Sequence, residues 1–243
     1  MKEVEISKIS NENFLIVSEM FYSIQGEGLT AGTPSVFLRV GNCNLGCKYC
    51  DTVQVWTKSK PIQIDKLVWS FDENGWINYL KRGDHLVITG GEPLLQQKQL
   101  INFIEALKTL TNNIFIEVET NGTIVPLAGL EKHVRLWNVS PKLSNSGVEF
   151  GMRINPSALQ YFSWSDKAIF KFVVANEEDV KEAVKDFIIP YSIPRRSIFL
   201  MPLSSNREEY IKNSPKVVEL CKQFGFRFSP RLQLEIWDKA TGV

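Results

Sequence analysis

Cys43, Cys47 and Cys50 fall within one short stretch of a 243-residue chain whose only other cysteine is Cys221. Thiolates are soft ligands suited to zinc or to an iron-sulfur cluster, and gaps of three and two residues let a short loop wrap one face of a compact metal centre. A structural zinc needs a fourth ligand, for which Cys221, His85 and His133 are the candidates. On spacing alone three readings stay open: an iron-sulfur centre, a zinc site, or a group of buried thiols. If the centre has four irons, three cysteines leave one iron without a protein ligand, and that open position is where chemistry would occur.

The elements around this stretch must position it. The run SVFLRV (35–40) reads as a strand delivering the chain into the loop GNCNLGCKYCDT (41–52). Upstream, FLIVSEMFY (14–22) reads as a buried strand leading into SIQGEG (23–28), whose glycines break regular structure, and AGTP (31–34) reads as a turn. Downstream, a strand followed by a glycine or polar turn recurs: LVIT (86–89) with GGEP, IFIEVE (114–119) with TNGT, VRLWNV (134–139) with SPK, AIFKFVV (168–174), and SIFLM (197–201) with PLSSN. Helices are expected over 64–80, near 94–110, over 177–188 and near 207–224, the first weakened by Gly75. Residues 143–166 show neither period and read as an irregular excursion, while 226–237 reads as one more strand or a flap. Strands alternating with helices imply a parallel sheet. The expectation is an α/β fold, an incomplete TIM-like barrel of about six parallel strands with helices outside, in a single domain over 1–243. The polar and glycine signals all follow strands, so they should converge at the C-terminal edge of the sheet.

Composition narrows the setting. With 44% hydrophobic and 23% charged residues the chain is ordinary for a globular protein, and a net charge of +1 gives no whole-protein case for nucleic acid or an anionic membrane. No apolar run is long enough to span a bilayer, and the first residues, MKEVEISKISNENF, are too polar for a secretory segment. A cytoplasmic protein is expected, where closely spaced cysteines more often bind metal than form disulfides.

CNLGCKYC matches the CxxxCxxC motif, with an aromatic before the last cysteine, of radical S-adenosylmethionine enzymes, and GGEP (90–93) matches their glycine-rich segment. The resemblance implies a 4Fe-4S cluster on Cys43, Cys47 and Cys50, with the free iron chelated by S-adenosylmethionine and a 5′-deoxyadenosyl radical generated on reduction. The ordered set YSIQGEG (22–28), VFLRVGNCN (36–44), CDT (50–52), ITGGEP (88–93), ETNGT (119–123) and SPK (140–142) is further similar to the 7-carboxy-7-deazaguanine synthase family, well over residues 20–142 and loosely beyond. That implies conversion of 6-carboxy-5,6,7,8-tetrahydropterin to 7-carboxy-7-deazaguanine with loss of ammonia and help from Mg2+. The activity belongs to queuosine and deazapurine biosynthesis, in a carbon-nitrogen lyase.

The same resemblance assigns roles. Ile24, Gln25, Gly26, Glu27, Arg39 and Thr89 are expected at the substrate, and Thr52 on magnesium. Tyr49, Asp51, Gly91, Glu119, Ser140, Pro141, Lys142, Met201, Pro202, Leu203 and Ser204 are expected at the cofactor. The chemistry is reasonable: Arg39 offers a planar charged fork to a carboxylate, while Gln25 and Glu27 can meet the polar edge of a pterin. Plainer readings compete. Arg39 could pair with a structural acid, 23–28 could be only a polar turn, Thr52 could cap a helix, and Thr89 could be an ordinary strand residue. An electron donor such as flavodoxin or ferredoxin is implied, and a homodimer is expected by analogy. Two rivals remain: a radical activase acting on the glycine of a partner protein, and a zinc-stabilised binding module.

Overall fold

The alternation of side chains along the strands sets the architecture. In the computed structural model, which describes residues 12–240 and 242, the strands are β1 (Phe14–Ile24), β2 (Pro34–Val40), β3 (Lys60–Gln63), β4 (His85–Gly90), β5 (Phe115–Thr120), β6 (Val134–Val139), β7 (Ala168–Val174), β8 (Ile198–Pro202) and β9 (Arg227–Phe228). They form one sheet in the order β3-β1-β2-β4-β5-β6-β7-β8-β9. β2 and β4 to β8 are the six parallel strands expected from the sequence, with β9 a two-residue seventh. β1 instead runs antiparallel to both β2 and β3, and only Leu15, Ile16 and Val17 of it are buried, because it lies at the open side of the barrel.

One parity of side chains (Leu38, Leu86, Ile88, Ile116, Val118, Trp137, Phe170, Phe172, Leu200) joins the main core under the helices. Each such fully buried Leu or Phe contributes about 1.5–3 kcal/mol, so this layer carries most of the stability. Its helical half comes from α1 (Ile64–Glu73), α2 (Trp76–Lys81), α3 (Gln97–Leu107), α4 (Pro156–Trp164), α5 (Glu177–Ala183) and α6 (Arg207–Phe224), all of which bury apolar residues. A last helix, α7 (Leu232–Trp237), lies against the site instead.

Several expectations need correction. The helix over 64–80 is two helices, broken where Gly75 adopts φ 74°, a conformation open to glycine. The helix near 94–110 starts as a 3-10 turn, Pro93–Gln96, and the one over 177–188 gives way at Val184–Ile188 to a π turn. Residues 143–166 are not an irregular excursion throughout: α4 occupies Pro156–Trp164, with the Asn155 side chain accepting from Ser157 N at 3.1 Å and Ala158 N at 3.3 Å. Trp164 stands 80% exposed on that helix, which blurs its apolar period. The segment 226–237 is a strand only at Arg227 and Phe228, and its second half, Leu232–Trp237, is helix. Among the described residues no helix is long and apolar enough to cross a membrane. The polar N-terminal stretch read above falls largely outside them.

Candidate active site

The second parity of the same strands faces the barrel interior, and it changes character from one end to the other. At the N-terminal end Leu136, Ile169 and Phe199 form a small apolar plug with Phe115 against it. One pleat further come Glu117 and Asn138, both fully buried, and then Arg39, Thr89, Glu119, Lys171 and Met201. Strands of a parallel sheet normally read as apolar on both faces, so charges at these positions mark an interior built for something other than packing. The strand ends open into a cavity of about 750 Å³.

The cysteine loop forms one wall. Cys43, Cys47 and Cys50 all line the cavity as free, half-buried thiols. Burial pushes the Cys43 thiol up to about 11 and raises Cys47 as well, so taking up metal there displaces protons. The loop is held by the other motifs. A Cβ built on Gly91 would fall 1.8 Å from the Asn42 carbonyl oxygen, and Glu92 N donates to that same oxygen at 2.8 Å. Gly91 is therefore glycine because the cysteine loop's backbone crosses it. The buried Glu92 carboxylate accepts from Thr120 Oγ1 at 2.8 Å and Asn121 N at 2.7 Å; Asn121 Nδ2 in turn donates to Asn44 Oδ1 at 2.9 Å. GGEP and ETNGT thus brace the loop between Cys43 and Cys47. Gly91→Ala should cost roughly 1–3 kcal/mol by forcing these backbones apart. It should also lower iron content per chain after anaerobic loading, read by iron assay beside thermal unfolding.

Opposite the loop lies a charged group. Glu27 accepts from Lys171 Nζ, from Gln233 Nε2 at 2.6 Å and from Arg231 Nε at 3.3 Å. Burial pushes its carboxyl up, but Lys171 and Arg231 outweigh that and hold it at about 2. Gln25 is buried and donates to Glu117 Oε1 at 2.9 Å and to Glu119 Oε1 at 3.2 Å. Thr89 Oγ1 donates to Glu119 Oε2 at 2.7 Å, and burial raises the Glu119 carboxyl. Arg39 does pair with an acid, Nε donating to Glu19 Oε1 at 2.6 Å across the β1–β2 ladder, and it also lines the cavity. Thr52 does not cap the helix Gln54–Thr57; its hydroxyl lies 3.6 Å from Cys50 Sγ. Asp51 is mostly exposed and bonded to Arg231 Nη2 at 2.6 Å.

The residues singled out from the sequence therefore gather at one chamber, with two exceptions. Pro141 and Pro202 do not line it: Pro202 falls on the opposite parity of β8 from Met201, and Pro141 turns toward Gly122. None of the three possible fourth ligands for zinc reaches the loop. Cys221 is packed in the core, His85 stacks on Phe115 at the far end of β4, and His133 bonds Lys108 and Glu105. Lys171, Glu117, Asn138 and Arg231 were not singled out. Lys171 left a signal, the lone charge in AIFKFVV, whereas Arg231 sits in an irregular segment and left none.

Comparison with known proteins agrees with this geometry. Residues 24–132 match the family model described as a 4Fe-4S single cluster domain. The 7-carboxy-7-deazaguanine synthase of Pyrobaculum aerophilum is 37% identical over 229 residues, covering 93% of this chain and 96% of that one. The chain belongs to the 7-carboxy-7-deazaguanine synthase family. The synthase of Hyperthermus butylicus is 36% identical, with 90% of this chain and 92% of that one covered. Among solved structures, QueE from Escherichia coli superposes with a TM-score of 0.66 at 22% identity, covering 94% of this chain and 98% of that one. Native anSMEcpe with bound AdoMet superposes with a TM-score of 0.53 at 18% identity over 77% of this chain and 60% of that one. These two likenesses speak to the fold alone, a partial barrel.

Proposed function

We propose that the chain is a 7-carboxy-7-deazaguanine synthase, converting 6-carboxy-5,6,7,8-tetrahydropterin to 7-carboxy-7-deazaguanine with loss of ammonia. The observation that carries this reading is the junction of a three-cysteine loop with a buried charged chamber in a chain of this family. Three thiols on one wall, with no fourth ligand among the described residues, fit a 4Fe-4S cluster with one open iron. Cys43, Cys47 and Cys50 would hold it, and Gly91, Ser140 and Lys142, which line the same cavity, would border S-adenosylmethionine. When bound, cluster and cofactor together supply the hydrogen-abstracting radical chemistry.

The chain's own residues bind and orient the substrate. Arg39, bonded through Nε to Glu19, also lines the cavity, where it would receive the substrate carboxylate as a charge-assisted pair. Glu27, ionised and held by Lys171 and Gln233, accepts from ring N–H groups. Thr52 would offer magnesium a single neutral oxygen, a weak ligand for an ion that favours six oxygens. Net loss of ammonia places the reaction with the carbon-nitrogen lyases. The working form proposed is a cytoplasmic homodimer reduced by flavodoxin or ferredoxin.

A buried cluster of side chains of both charges also argues against an activase, which docks a partner loop on an open apolar face. The test is anaerobic loading with iron and sulfide followed by product analysis with the carboxylated tetrahydropterin. Formation of 7-carboxy-7-deazaguanine is expected; cleavage of S-adenosylmethionine without it would remove the substrate assignment. Arg39→Ala is expected to keep iron content and raise KM by about tenfold to a hundredfold, as loss of a charge-assisted bond does. An unchanged KM would take Arg39 out of the site.

A further inference from the structure

Arg231 sits between β9 and α7, and its side chain is only 6% exposed. It reaches three loops that leave three different strands. Nε donates to Glu27 Oε1 in the loop after β1, Nη1 to the Ser204 carbonyl after β8, and Nη2 to Asp51 Oδ2 beside the last cysteine of the loop after β2. Its own backbone N–H donates to Tyr210 Oη at 3.4 Å, and Leu232 N donates to the Gly26 carbonyl at 3.0 Å. Among the described residues no other side chain bonds both Glu27 and the cysteine loop. The guanidinium is a rigid planar fork with five donors, so it fixes its partners in orientation as well as in distance.

Asp51 keeps its side chain 61% exposed and has no need of the bond for its own solvation, so what the bond adds on that side is position. Here the bond draws the loop carrying Cys50 toward the loop carrying Glu27. From this we infer that Arg231 is a positioning residue: it sets the register between the wall that generates the radical and the wall that holds the substrate. The inference rests on the synthase reading. Misplacement of reacting atoms by about 1 Å costs about a hundredfold in rate.

The reaction's balance supplies a sensitive readout. The product is the substrate less ammonia, so the hydrogen atom taken from the substrate must be returned within the cycle. Free 5′-deoxyadenosine then accumulates only when a turn is lost between the two walls. Arg231→Met and Arg231→Lys are compared with the intact holoenzyme by iron content, binding of S-adenosylmethionine, kcat, and 5′-deoxyadenosine released per deazaguanine formed. Iron content and cofactor binding should stay within about twofold, kcat should fall about a hundredfold, and the release ratio should rise at least about tenfold. Arg231→Lys keeps the charge but reaches one partner at a time, so it should fold fully and still uncouple. Asp51→Ala, which removes one arm, should raise the ratio by a smaller factor. A release ratio equal to that of the intact enzyme in Arg231→Lys at full iron content would overturn the inference, as would kcat falling only in step with iron. Absence of deazaguanine from the intact enzyme would instead overturn the substrate assignment.

Discussion

Alanine at Cys43, Cys47 or Cys50 should leave a folded protein with no detectable deazaguanine synthesis. Each thiol lies on the cavity wall, and Cys43 Sγ accepts from Leu45 N at 3.4 Å. Loss of such a half-buried group outside the core should change stability by no more than about 0.5 kcal/mol. Iron content after loading, visible absorbance and product yield should therefore collapse together while the melting temperature holds. Cys221→Ala is the matched control. That residue is buried under α6 in the main core, so its truncation costs about 1–2 kcal/mol and leaves iron content and turnover in place. Equal loss of iron in Cys221→Ala would mean that the fourth cysteine participates in the centre, contrary to its position.

Lys171→Met should be damaging in a different way. Lys171 is buried in the middle of β7, paired with Glu27 and 3.9 Å from Glu119, and Glu117 lies in the same interior layer. Methionine matches its length but leaves the carboxylates short of a cation, and breaking a buried pair from one side costs roughly 3–5 kcal/mol. The pH dependence identifies the cause. In the intact protein Glu27 is held at about 2, below its ordinary 4.5, so its contribution is present above pH 4.5 and is lost as pH falls toward 2. Glu119 is raised instead, first by burial, so its contribution declines as pH climbs from 4.5 through its folded value. Removing Lys171 shifts both carboxyls upward. The variant should accordingly gain stability on acidification from neutral pH toward pH 5, more steeply than the parent, in denaturant titrations at several pH values. A pH-independent deficit would point to packing loss. Turnover should drop by about a hundredfold or more, since Glu27 loses its orientation in the chamber.

How much of this was open to reading in the sequence depends on the range of the interactions involved. The six parallel strands were legible because each is a short β-branched or aromatic run closed by a glycine or polar turn, and such signals are local. The cysteine loop and its partner segments were legible because metal and backbone chemistry impose residue types at fixed spacing. Asn155 and the segment 226–237 show the limit. A cap and a two-residue strand depend on neighbours that a period does not reveal, whereas Gly75 marked its helix break in advance.

For Gly91 the structure supplies a reason of its own beside the expected one, since the residue admits the backbone at Asn42. Arg39 faced two readings from sequence and takes part in both geometries, bonded to Glu19 and open to the cavity. The sequence by itself determined the family, the parallel barrel and the loop that carries the chemistry, because those rest on local pattern and short spacing. Only the tertiary structure decided that Lys171 faces Glu27 across 144 positions and that Arg231 joins Glu27 to Asp51 across 204 and 180. Ion pairs of that separation leave no periodic trace, because their partners are set by strand order and sheet curvature rather than by anything adjacent in the chain.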